Sequence, residues 1–92
     1  MDISTFIQHF ADQFFDTSAD QLHPDTVFRE LDEYSSIVAL LIMTMIDEEY
    51  GVSVSGNEML AAVTIQDLYN IVQAKLALWT IILFHLPIRR FS

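Results

Sequence analysis

Residues 32–51 decide the fold of this chain, and they read DEYSSIVALLIMTMIDEEYG. Serine side chains accept hydrogen bonds from the free amides of a first helical turn, so the pair Ser35-Ser36 predicts a helix start. No helix breaker follows until Gly51, which predicts the helix end. Between residues 37 and 46 the only polar side chain is Thr44, so we expect burial on more than one face of this helix.

The segments on either side of this helix also have helical patterns. Apolar residues recur at three- and four-residue intervals over residues 2–15, which predicts an amphipathic first helix. Residues 16–34 are rich in Asp, Thr and Ser, so we expect a long loop that Phe28 pins to the core. A short third helix is expected at 57–61, and Thr64 should cap the last helix, with Asp67 as an imperfect capping-box partner. The inward stripe of that helix should contain Ile65, Leu68, Ile71 and Val72.

Length and charge limit the possible functions. A chain of 92 residues has room for one small core, and its two glycines and two prolines favour helices over a turn-rich β fold. Thirteen acids and four bases give a net charge of −9, which repels nucleic acid and anionic membrane surfaces and suits a basic protein partner. The alternative is that the acids only keep a small domain in solution. There is no cysteine, so any thiol chemistry must come from a cofactor.

Four segments of the chain resemble the acyl carrier protein family in order and spacing. Residues 28–31 resemble the loop that precedes the family motif, and Ser36-Ile37 resembles the Ser-Leu of its Asp-Ser-Leu signature. Residues 47–51 resemble the acidic helix end, and 64–68 resemble the start of the last helix. The resemblance covers most of residues 3–74. It implies an all-α four-helix bundle of acyl-carrier type, with three main helices, a short third helix and a long first loop.

The resemblance also implies a function. A phosphopantetheinyl transferase would attach 4′-phosphopantetheine from coenzyme A to Ser36, whose spacing to Tyr50 matches the family. Acyl groups would then be held as thioesters on the arm and delivered to acyl-transferring or condensing enzymes of fatty-acid or related acyl synthesis. Ser35, the second choice for attachment, would cap the helix. The chain itself would not be an enzyme, since no nucleophile and base pair, metal set or phosphate loop can be assembled.

Two alternatives to this function remain open. One is a polyketide or peptidyl type of carrier, and the other is a helical interaction module in which both serines are ordinary caps and no arm is attached. Since no basic N-terminal region precedes an apolar stretch, we expect no secretory signal and a cytoplasmic location.

The chain departs from the family pattern around the serine. The aspartate before it is missing, and either Asp32 or Glu33 could replace that carboxylate. Val38 and Leu41 stand where the family often has acids, which predicts a more apolar partner interface, although an oligomer contact or simple drift would explain them equally well. Acids at a helix C-terminus oppose the macrodipole, so stability does not explain the acids at 47–49. Their placement favours contact with a partner. We expect partner docking through Ile37, Leu41, Asp47 and Glu48.

An acyl pocket is a further implication of the resemblance. Methionine adapts to irregular contents, so Met43 and Met45 could line such a pocket, or they could be plain core. The three histidines have no ligand spacing, so no metal site is expected. The residues expected to line the acyl pocket are Phe28, Ile42, Ile46, Tyr50, Ile65 and Leu68.

The C-terminal part of the chain is more apolar than a carrier domain requires. We therefore divide the chain into a carrier domain at 1–75 and an apolar extension of the last helix, or a tail, at 76–92. Residues 76–88 contain no acid, lysine or arginine and are too few to span a bilayer, so no transmembrane span is expected. Self-association through 76–88 is the first explanation, peripheral membrane contact is the second and an altered reading frame is the third.

Overall fold

The structure is a computed structural model that describes residues 2–85, with side chains to Leu78. The long loop between the first two helices contains two short 3₁₀ turns, and the described residues form no strand. The fold is therefore the predicted all-α bundle with a long first loop and a short third helix. The helices are α1 (Ile3–Ala11), α2 (Ser36–Tyr50), α3 (Gly56–Ala61) and α4 (Ile65–His85).

Helix α2 has the predicted bounds. Ser35 is its N-cap, and Gly51 ends it with a left-handed φ of 72°, a conformation that glycine adopts without steric cost. The expected burial on more than one face is wrong for the described part of the chain. Ile37 is 69% exposed and Leu40 is 61% exposed, because α1 and α4 cover only one side of α2.

Helix α1 ends earlier than predicted, at Ala11 instead of residue 15. The amide of Phe14 donates to the carbonyl of Ala11 at 3.0 Å, an i to i−3 bond that forms a tighter turn directly after the helix. The chain then changes direction, so that Phe14 enters the core while the neighbouring Phe15 is 99% exposed. Regular periodicity up to Phe14 therefore does not require a helix that long.

Aromatic rings form the centre of the core. Phe28 is fully buried, and its ring centroid lies 5.7 Å from that of Phe10 and 5.4 Å from that of Tyr34. The prediction that Phe28 pins the long loop is confirmed, and its burial contributes about 1.5–3 kcal/mol. The largest fully buried side chains are Phe6, Phe10, Phe28, Ile42, Ile46, Ile65, Leu68 and Val72.

The start of α4 has a complete capping box, although the sequence predicted an imperfect one. The amide of Asp67 donates to Thr64 Oγ1 at 3.1 Å, and the amide of Thr64 donates to Asp67 Oδ2 at 3.0 Å. These reciprocal bonds satisfy two backbone donors at the helix start and lower the pKa of Asp67. Lys75 Nζ lies 3.0 Å from Glu58 Oε2 and so ties α4 to α3.

Helix α4 continues beyond residue 75, the predicted end of the carrier domain. It runs to His85 and so includes residues 76–85 of the predicted extension. Residues 86–88 of the expected self-association segment lie outside the described residues, as do the side chains beyond Leu78. Within residues 2–85, no helix has the length and apolar character needed to cross a membrane.

Candidate functional site

The two serines at the start of α2 have different roles. Ser35 has an extended backbone, and its hydroxyl accepts a hydrogen bond from the amide of Val38 at 3.2 Å. Ser36 is the first helical residue and is exposed, and its hydroxyl makes no hydrogen bond within the described part of the chain. Within the described residues, the side chain of Ser35 therefore serves as the cap of α2, while that of Ser36 has no structural partner.

Position alone makes Ser36 suitable for an anionic group. The first amides of an α-helix have no intrahelical acceptor, and the helix dipole places partial positive charge at this end. A phosphate bonded to Ser36 Oγ would lie next to these amides. The start of α2 therefore fits the phosphodiester of 4′-phosphopantetheine, the group that the resemblance implies, and Ser36 is the residue predicted to hold it.

Ser36 also borders a cavity of about 660 Å³ between α2, α3 and the loop that precedes α2. None of the described residues that line it is acidic, although the chain contains thirteen acids. A cavity of this size is within the usual range for small-molecule sites. Its lining residues are Arg29, Tyr34, Ser36, Ala39, Met43, Ser55, Gly56, Asn57, Met59 and Leu60.

The six residues predicted for an acyl pocket lie elsewhere. Five of them are fully buried core residues, and Tyr50 is partly buried at the end of α2. None of the six lines the cavity beside Ser36. Of the two methionines considered, Met43 lines this cavity and Met45 is buried. The sequence missed Arg29, Tyr34, Met59 and Leu60 because periodicity indicates burial and says nothing about empty space.

The residues predicted for partner docking lie on the exposed side of α2. Asp47 and Glu48 are exposed near its C-terminus, and Ile37 and Leu41 are exposed near its start. Leu40 lies on the same face between Ile37 and Leu41, and the sequence did not predict it as a docking residue. We call Ile37, Leu40, Leu41, Asp47 and Glu48 the exposed α2 face. It is apolar next to Ser36 and acidic at the far end.

Glu33 is not free to replace the missing aspartate. Its carboxylate accepts hydrogen bonds from Thr17 Oγ1 at 2.7 Å and from the amides of Asp16 and Thr17 at 2.9 Å each. These bonds, with that from the Thr17 hydroxyl as the largest effect, lower the pKa of Glu33. Glu33 therefore holds the long loop together. The side chain of Asp32 is exposed and makes no hydrogen bond within residues 2–85.

The acidic end of α2 is attached to α1. His9 Nδ1 and the Tyr50 hydroxyl share a hydrogen bond of 2.9 Å, and His9 Nε2 lies 3.8 Å from Glu49 Oε1. Burial raises the pKa of Tyr50, and the nearby charge of Glu49 adds to this effect. Among the described residues, no group of three His, Asp or Glu side chains is arranged to hold a metal ion.

Comparison with models of known protein families gives a match. Residues 6–72 match the family model described as phosphopantetheine attachment site. This range is more than half of the chain and contains α2, both serines and every residue found to line the cavity. Neither the curated proteins nor the solved structures give a match.

Proposed function

Because the chain belongs to the family of phosphopantetheine attachment domains, we propose that it holds acyl intermediates on 4′-phosphopantetheine attached to Ser36. The family match makes the chain a carrier protein and makes 4′-phosphopantetheine its prosthetic group. The choice of Ser36 has one main support. Ser36 is exposed at the first position of α2 beside the cavity, and its hydroxyl has no hydrogen bond among the described residues, whereas the hydroxyl of Ser35 is used as a cap.

The residues of the chain would present the cargo and perform no chemistry on it. When attached, the arm supplies the thiol that this cysteine-free chain lacks, and acyl groups are held on it as thioesters. Ser36 Oγ provides the attachment point, and the first amides of α2 stabilise the negative charge there. Ala39, Met43 and Met59 give the cavity an apolar lining that excludes water from part of the arm.

The exposed α2 face is the proposed docking surface for partner enzymes. These partners are a phosphopantetheinyl transferase and the acyl-transferring or condensing enzymes that use the carrier. The apolar side chains of Ile37, Leu40 and Leu41 would contact the partner nearest to Ser36, and the acids at Asp47 and Glu48 would attract basic groups. Within residues 1–75, thirteen acids and two bases give a net charge of −11. This acidity favours a fatty-acid-like carrier over the polyketide or peptidyl type.

The acyl pocket remains part of the proposal. The closed core around Ile42 and Ile46 would have to separate to admit a chain, and the cavity beside Ser36 is the nearest open space. Phe28, Ile65, Leu68 and Tyr50 are the other proposed contacts. A cytoplasmic location is retained as a prediction.

Self-association through residues 76–88 is also retained as a proposal. Leu78 is 58% exposed on the extended α4, and the sequence beyond it is apolar. Truncation after Lys75 with measurement of solution mass tests this. A full-length chain that is a monomer would contradict it.

Intact-mass spectrometry tests the attachment. The chain is incubated with coenzyme A and a broad-specificity phosphopantetheinyl transferase, and we expect the mass of one phosphopantetheine group to be added. Ser36→Ala should abolish this gain, and the matched control Ser35→Ala should retain it. Absence of a gain in the unsubstituted chain would favour an interaction module without the arm. A gain lost only in Ser35→Ala would move the site to Ser35.

A further inference from the structure

The cavity beside Ser36 contains a base in an otherwise acidic region. Arg29 is the only lysine or arginine among the first 74 residues of the chain. The ion pairs found among the described residues are His9 with Glu49 and Lys75 with Glu58, and neither involves Arg29. Arg29 therefore lines the cavity, and its guanidinium has no carboxylate partner among the described residues.

Two contacts hold Arg29 in position. Its Nη1 donates a hydrogen bond to the carbonyl of Met59 at 3.0 Å, and its Cζ lies 5.6 Å from the centroid of the Phe28 ring. Phe28 is fully buried, so this ring is a fixed support. A guanidinium has five N–H donors, and the Met59 carbonyl occupies one of them. The remaining donors are available to an anion.

Tyr34 supplies a second donor at the same cavity. Its ring packs against that of Phe28 with centroids 5.4 Å apart, and burial raises the pKa of its hydroxyl. The hydroxyl therefore stays protonated at neutral pH and can donate a hydrogen bond. Arg29, Tyr34 and Ser36, the first residue of α2, therefore border one cavity that no described acid lines.

We propose that Arg29, assisted by Tyr34, binds the phosphodiester that joins the arm to Ser36. A planar guanidinium matches the geometry of two phosphate oxygens, and charge-assisted hydrogen bonds are the strongest of their kind. In the proposed modified form the phosphodiester is bonded to Ser36, which lines the same cavity as Arg29, so attachment brings an anion to the cavity that Arg29 borders. The inference rests on the proposed attachment at Ser36. A carboxylate on the acyl group that the arm carries is a second anion that a guanidinium binds in the same way. The experiment below distinguishes the phosphodiester from this carboxylate.

Melting temperatures of the unmodified and modified chains test this contact. The measured quantity is the change in melting temperature on attachment of the arm, for the unsubstituted chain, Arg29→Gln and Lys75→Gln. Lys75→Gln is the matched control because it removes the same charge at the only other base in residues 1–75. Since each variant is compared with its own unmodified form, loss of the bond to Met59 cancels. We expect attachment of the arm to raise the melting temperature of Arg29→Gln by about 4–8 °C less than it raises that of the unsubstituted chain. In Lys75→Gln the rise should equal that of the unsubstituted chain.

Phosphorus NMR of the modified chain gives an independent measurement. The phosphodiester resonance should move in Arg29→Gln and stay in place in Lys75→Gln. Equal behaviour of the unsubstituted chain and Arg29→Gln in both measurements would overturn the inference while leaving attachment at Ser36 intact. An effect of Arg29→Gln found with a malonyl group on the arm, but absent with an acetyl group or with the free thiol, would assign Arg29 to the cargo carboxylate and overturn the phosphodiester contact. Absence of any mass gain would refute the proposed function, and this inference with it.

Discussion

Two regions that meet along α2, the closed core and the cavity beside Ser36, are packed in opposite ways. Ile42 and Ile46, one helical turn apart, are fully buried in the core. Ala39 and Met43, also one turn apart on the adjacent row, line a cavity of about 660 Å³. From the sequence alone, the apolar character of all four residues predicts that they face the core. The difference shows that one helix supplies a row that fills the core and a neighbouring row that borders open space beside Ser36.

The largest effect on stability is expected from truncating one of the two core residues of α2, Ile42 or Ile46. Ile46→Ala should lower the free energy of unfolding by about 2–5 kcal/mol, because it removes packed methyl groups and leaves a void. Met43→Ala is the matched substitution on the cavity row and should cost less than about 2 kcal/mol, since its side chain already borders open space. Urea denaturation measures both. Equal losses would mean that the two rows are not packed differently.

The helix start, where both rows begin, gives the next largest effect. Ser35→Ala should lower the free energy of unfolding by about 1 kcal/mol, because the amide of Val38 loses its acceptor. Ser36→Ala should change it by less than about 0.5 kcal/mol, since the Ser36 hydroxyl makes no bond in the described part of the chain. Thermal unfolding of the two variants side by side measures this. A larger loss for Ser36→Ala would contradict the assigned roles.

Acid should weaken the loop that forms one wall of the cavity. Glu33 has a pKa below its ordinary value of 4.5 in the folded state, so its stabilising effect is complete above pH 4.5. The effect disappears as the pH falls through the lowered folded-state pKa. Glu33→Gln should therefore make the fall in stability between neutral and acidic pH less steep.

Denaturation measured at several pH values from 7 down to about 3 tests this, with Asp32→Asn as the control. Asp32 is exposed and makes no hydrogen bond within residues 2–85, so its substitution should leave the acid dependence as it is. Identical pH profiles for Glu33→Gln and the unsubstituted chain would show that Glu33 does not hold the loop.

The smallest effect on stability is expected on the exposed α2 face. Leu40→Ser should change the free energy of unfolding by less than about 0.5 kcal/mol, because Leu40 is largely exposed. It should nevertheless weaken binding to the transferase, with a loss of about 1 kcal/mol or more if Leu40 lies in the centre of the interface. Calorimetric titration measures the affinity. Phe15→Ser changes an exposed apolar residue outside α2 and is the control, and equal losses for both variants would contradict docking through this face.

The sequence was sufficient for the elements whose ends are set by local chemistry. Ser35 and Gly51 bound α2 through a cap and a left-handed residue, and both signals act within one helical turn. The end of α1 could not be predicted in the same way. No breaker stands at Ala11, and Phe14 keeps the apolar spacing after the helix has ended. Tertiary packing of Phe14 decides that turn.

The candidate site could be predicted only in part, for a similar reason. The two serines are recognised from their place before an apolar helix. The bond between Glu33 and Thr17 joins residues 16 apart in the sequence, and that between Arg29 and Met59 joins residues 30 apart. No local pattern records such contacts. The cavity itself depends on where several elements fail to meet, which is a property of the assembled fold.

Attachment of the arm at Ser36 is the central claim, and direct localisation of the added mass tests it most closely. Cleavage of the modified, unsubstituted chain after glutamate should release a peptide covering residues 34–48, which contains both serines of the α2 start. Fragment-ion mass spectrometry of this peptide then distinguishes Ser35 from Ser36. We predict that the whole added mass is on Ser36. Added mass on Ser35, or none on this peptide, would contradict the claim.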